Sequence, residues 1–223
     1  MRISGSGTLS KMTLQDKLVS SGSVRMEGDI ECLGFTSSGS ARGEGDLIVH
    51  GKFKSSGSFT LYGALYGDGN ARSSGSASIE KGIKIKGKLN NSGSLRVGSG
   101  VEALLGVNFS GSSRVDGDLT SEQTVEISGS TTVKGSIKAD DVFIGEQARS
   151  SGKHPYKVFG NVFAENELRL KYTFVKGDVR GRNVKIGRKT EVMGKVYYID
   201  TIEVDPKANL ANRPIQISEI GDE

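Results

Sequence analysis

The chain has 223 residues, 30 basic and 26 acidic side chains, a formal net charge of +4 and an apolar content of only 35%. Glycine is abundant at 32 residues, proline scarce at 3, tryptophan absent, and Cys32 is the one cysteine. This composition excludes an internal disulfide and a transmembrane helix of about 18 consecutive apolar residues, and so small a charge does not by itself call for nucleic acid.

The opening, Met1 to Leu9 (MRISGSGTL), lacks the apolar stretch of a secretory signal. With a single cysteine, this makes a cytoplasmic protein the expectation. The same residues begin a repeat. A Ser-Gly-Ser element recurs with its glycine at Gly5, Gly22, Gly39, Gly57, Gly75, Gly93, Gly111 and Gly129, spaced 17, 17 and then five times 18 residues. A second set of glycines follows about six residues later, at Gly28, Gly45, Gly63, Gly117 and Gly135, and a third at Gly34, Gly51, Gly69 and Gly87. Between them apolar residues alternate with polar ones, as in Ile83-Lys84-Ile85 and Val125-Glu126-Ile127, the period of a strand.

Three short strands per repeat, separated by small residues, predict an all-β fold. It is a single-stranded triangular β-helix, a solenoid of about 17–18-residue coils. Glycine is expected at the corners for positive φ, and serine for hydrogen bonds to its own backbone. Twelve or so coils at about 4.8 Å give a rod on the order of 55 Å long.

After Gly129 the Ser-Gly-Ser corner fades, but the period continues. Val133-Lys134-Gly135-Ser136-Ile137 is echoed around Gly160, Gly177 and Gly194, which stand 17 apart. The interval from Gly135 to Gly160 is 25, which predicts an insertion loop at about 147–157 (QARSSGKHPYK). The organisation read from the chain is therefore a β-helix over 1–210 and a C-terminal tail over 211–223.

The stretch Phe174 to Leu210 (FVKGDVRGRNVKIGRKTEVMGKVYYIDTIEVDPKANL) resembles the bactofilin family of polymer-forming cytoskeletal proteins. Earlier units such as Val24-Arg25-Met26-Glu27-Gly28-Asp29-Ile30 share its pattern. The resemblance implies a right-handed β-helix that polymerises end to end without nucleotide, and a scaffold with no catalytic activity and no cofactor.

Physics points the same way. A β-helix closes its lateral edges but leaves two ends with unpaired strand groups over an apolar core, and such edges template pairing unless blunted. By position, the interface candidates are Ile3 and Leu9 at one end and Val196, Tyr198, Ile202 and Val204 at the other. The tail, with Pro206, Pro214, Ile215, Ile217 and Ile220, is read either as a plug folding over the last coil or as lying beside it.

The expected partner is thus a second copy of the chain, with client proteins on the lateral faces and no small-molecule substrate. An alternative reading is a binding module with a basic face. Arg169, Lys171, Lys176, Arg180, Arg182, Lys185, Arg188, Lys189 and Lys195 are set against only Glu167, Asp178 and Glu191. Stacked as columns, for example Lys176 with Lys195 or Arg169 with Lys185, they would form a weak contact for DNA or an anionic membrane. Acyltransferase and carbonic anhydrase solenoids need histidines, and this chain has only His50 and His154, far apart. Cys32 reads as a small inward residue, and acids such as Glu27, Asp29, Asp46 and Asp118 read as solvated outward positions. No catalytic residue and no metal site are expected.

Overall fold

The computed structural model describes residues 1–147 and 155–219, all of them in strands, turns or irregular segments, with no helix. The strands stack as a parallel β-solenoid of about twelve coils. Each coil contributes to three faces. Face A contains Ser58–Leu61, Ser76–Ile79 and Ser94–Val97, face B contains Leu65–Gly67, Ile83–Ile85 and Val101–Ala103, and face C contains Ala71–Ser73, Leu89–Asn91 and Val107–Phe109. Pairing is in register from coil to coil, so that Ala77 opposes Phe59 and Leu95, and Lys84 opposes Tyr66 and Glu102.

Alternation sets what is buried. In one coil Ala77, Ile79, Ile83, Ile85 and Leu89 point inward and are buried, while Ser78, Lys84 and Asn90 point outward. The core is thin and fills by stacking like on like. Phe35 and Phe53 are stacked at 5.3 Å between centroids, and Phe59 meets Phe53 edge-on at 5.1 Å.

The corner glycines have a different cause from the one expected. None of the Ser-Gly-Ser glycines has positive φ; among glycines that conformation occurs at Gly28, Gly106 and Gly145, and at Gly28 (φ 157) it borders on ordinary extended backbone. What excludes a side chain is the neighbouring coil. A Cβ built on Gly22, Gly39, Gly75, Gly93, Gly111 or Gly129 would lie 2.0–2.1 Å from the carbonyl oxygen of the preceding corner glycine. The fading of this corner after Gly129 coincides with a change of backbone. Gly145 (φ 74), Tyr172 (φ 56) and Lys189 (φ 56) make left-handed turns at the same corner of successive coils.

Three of the acids read as solvated outward positions, Asp29, Asp46 and Asp118, stay at least partly exposed and in addition bond the neighbouring coil. Between faces A and B, a side-chain acceptor receives the backbone N–H of the next coil. Asp29 accepts from Asp46, Asp46 from Ala64, Asp118 from Ser136, Asn161 from Asp178, and Asp178 from Lys195, at 2.7–3.0 Å. The Gly-Asp pair of the repeat is therefore a corner clasp: glycine clears the space, and aspartate satisfies a donor that the bend would leave open.

Two boundaries shift. The expected insertion ends earlier than residue 157, because Tyr156–Val158 is a face A strand whose Tyr156 ring is buried and whose hydroxyl donates to Ser128 O at 2.8 Å. Positions 148–154 of the insertion lie outside the described residues. The solenoid also runs past residue 210, since Ile215–Gln216 pairs in parallel with Tyr197–Tyr198.

Candidate functional site at the ends of the rod

Inward apolar side chains are buried throughout the middle of the rod. Those that are only partly covered lie at its ends: Ile3, Met12 and Leu14 at one, and Tyr198, Ile202, Ala208 and Leu210 at the other. Val204, inward by register with the buried Ile186, is 41% exposed. The reason is geometric. A side chain in a one-coil layer needs a coil on each side, and a terminal coil has one.

The backbone is open at the same places. Ser6–Ser20 pairs with the following coil along its length, but on its other side it meets Arg2–Ile3 only at Val19 and Ser20. The terminal amine is anchored there, donating to Lys17 O at 2.7 Å. At the far end Ile202–Val204 pairs with Val184–Ile186, and Asn209–Leu210 pairs with Glu191–Val192. Neither has a further strand partner among the described residues.

The six interface candidates are thus of two kinds. Ile3, Ile202 and Val204 are at uncovered positions, and Tyr198 is partly exposed although Gln216 of the tail lies opposite it. Leu9 and Val196 are buried, at 4% and 0% exposed. Leu9 is opposed by Met26 of the next coil, and Val196 is covered by the tail, whose Pro214 falls opposite it in register. Met12, Leu14 and Leu210 were missed, although the alternation Met12-Thr13-Leu14 is visible in the first coil. The tail takes a form between plug and neighbour. It adds a strand to face B alone, fixed by Ile217 N–H on Tyr198 O and by the Gln216 side-chain amide on Ile199 O, both at 2.9 Å. Pro214 lacks the N–H that would extend that edge.

The nine C-terminal basic residues do not share one face. Arg169 and Lys185 stack in register on face C, while Lys176 stacks with Met193 and Lys195 with Asp178, so Lys176 and Lys195 form no column. Most are engaged. Arg169 pairs with Glu167 and Lys171 with Glu146, both at 3.1 Å, Arg182 with Asp200 at 3.4 Å, and Lys185 with Glu203. Arg180 lies over the Tyr197 ring, and Arg188 and Lys189 over that of Tyr172. A groove of about 480 Å³ in this region is lined by both signs of charge, including Glu146, Lys171, Lys185 and Glu203.

Among the described residues, His50 and Cys32 are each held by their surroundings. His50 is at the surface between Glu31 and Asp68, 2.7 Å from each, and these hydrogen bonds raise its pKa above the ordinary value. Cys32 is fully buried, and desolvation pushes its thiol pKa up. His154 lies outside the described residues.

The fold and its ends define a class, a parallel β-solenoid with uncovered apolar termini. No protein-family model, curated protein or solved structure matches this chain.

Proposed function

We propose that this protein is a non-catalytic, nucleotide-independent scaffold that assembles with copies of itself through the terminal coils of its solenoid, as the resemblance to bactofilins implies. The observation that carries this reading is the confinement of partly covered inward side chains to the two ends, where strand edges are also unpaired. Burying such a side chain fully contributes about 1.5–3 kcal/mol relative to full exposure. A second copy placed end-on does this while extending the backbone ladder. Pro214 blunts one of the three edges at one end and leaves faces A and C to make the contact.

Electron microscopy and sedimentation of the purified protein without nucleotide test the proposal. Elongated assemblies are expected from the wild type. Monomers with unchanged circular dichroism are expected from Ile202→Arg and, at a more exposed position, from Val204→Arg. A wild type that stays monomeric at high concentration, or assemblies indifferent to both substitutions, would overturn it.

A further inference from the structure

A run of cations without ion-pair partners lies in the N-terminal half, on the side where face B turns into face C. Lys54 and Arg72 are register partners on face C. Lys52 and Lys88 flank them at the corner, two coils apart, their stacking fixed by hydrogen bonds from Phe53 N–H to Asn70 O and from Ala71 N–H to Lys88 O. All four are exposed, and among the described residues none of their cationic groups makes an ion pair or hydrogen bond. Most of the C-terminal basic stretch, by contrast, is paired with carboxylates or rings. The outward column of face C runs Val19, Thr36, Lys54, Arg72, Asn90, Asn108, and meets its first carboxylate only at Glu126.

Beside these cations runs a second column. Leu33, Gly51, Gly69, Gly87 and Leu105 stack at the corner, so closely that a Cβ on Gly51 would lie 2.4 Å from Leu33 O and one on Gly69 2.5 Å from Gly51 O. A glycine trough is thus bounded by two leucines that are 48% and 50% exposed. Four coil steps separate them, roughly 19 Å.

We infer that this corner is a docking surface for an anionic lipid bilayer. The four cations and two leucines lie in adjacent columns along one corner and the face beside it, so that one surface laid along that corner can meet all six. The lysine and arginine heads reach phosphate level on flexible stems while the leucines enter the acyl boundary. Nucleic acid would use the cations but leave both leucines in water. The inference does not depend on self-assembly.

Flotation with vesicles tests it, using phosphatidylcholine alone or mixed with phosphatidylglycerol. Binding is expected only to the anionic vesicles and is expected to weaken as salt rises. Each cation near such a leaflet contributes about 1 kcal/mol, roughly fivefold. The triple change Lys52→Glu, Arg72→Glu, Lys88→Glu should therefore lower partitioning by more than about 100-fold. Leu33→Ser with Leu105→Ser should lower it by about tenfold. The same charge change placed elsewhere, Lys157→Glu, Lys176→Glu, Lys195→Glu, should leave it within a few-fold. Four outcomes would each overturn the inference: no binding to anionic vesicles, equal binding to neutral ones, an equal loss in the displaced triple variant, or a duplex DNA shift at concentrations where vesicles are not bound.

Discussion

A Cβ added to Gly57 would lie 1.9 Å from the carbonyl oxygen of Gly39, its counterpart one coil earlier. No rotamer relieves such a contact, because both groups belong to backbone. Gly57→Ala must therefore separate two coils and is expected to cost about 3 kcal/mol. Gly5 occupies the same place in the repeat but has nothing within 4 Å of its Cβ position. Gly5→Ala should change stability by no more than about 0.5 kcal/mol. Urea unfolding of the two variants side by side separates this steric account from one based on backbone flexibility, which would penalise both alike.

The corner clasp makes a second prediction. Asp178 accepts the Lys195 amide at 2.7 Å. Asp178→Ala leaves that donor without its partner and should cost about 1 kcal/mol, whereas Asp178→Asn keeps an acceptor and should cost less. Denaturant midpoints read the difference. Equal losses would mean that charge, not acceptance, is what the corner requires.

His50 and its carboxylates should give the N-terminal coils a stability window in pH. Hydrogen bonds to Glu31 and Asp68 raise the histidine pKa above its ordinary 6.5. Its contribution is therefore complete below that value and is lost as pH rises through the raised one. Glu31 is lowered, chiefly by its bond to His50, and Asp68 by Lys86 and then His50, from ordinary values of 4.5 and 3.8. Their contribution is present above those values and is lost as pH falls through the lowered ones. The urea midpoint should accordingly be highest between about 4.5 and 6.5 and decline on the alkaline side, and His50→Gln should abolish that decline. An unchanged alkaline limb in the variant would assign the decline to other groups.

Cys32 is fully buried and its thiol is disfavoured as thiolate by desolvation. A thiol reagent should label the native protein at the rate of local opening and the urea-unfolded chain far faster. Fast labelling of the native form would show that the second coil opens readily.

The period was legible because glycine spacing and apolar alternation each mark it independently, and register follows once they agree. Other features lay in the sequence but only at the period itself. Lys84 with Glu102, Arg182 with Asp200 and Lys185 with Glu203 are each 18 positions apart, so the neutralisation of the basic stretch is visible only when coils are laid over one another. The steric reason for the corner glycines was hidden, because residue type does not distinguish a φ requirement from a crowded neighbour. So was the turn at Tyr172 and Lys189, where nothing about tyrosine or lysine announces a left-handed backbone. The burial of Leu9 and Val196 depends on which chain segment closes over an end, and local pattern carries no trace of that.

In-register pairing one coil apart has a kinetic corollary. Partners such as Ala77 and Leu95 are separated by 18 positions in a chain of 223, about 0.08 of its length. Relative separations of this size belong to fast-folding helical bundles rather than to sheet proteins. A coil can therefore be laid down as soon as its predecessor exists, so the chain can fold in the order in which the ribosome delivers it. During synthesis the advancing edge is always one coil deep and always adhesive, and neighbouring nascent chains must be kept apart until each rod is finished.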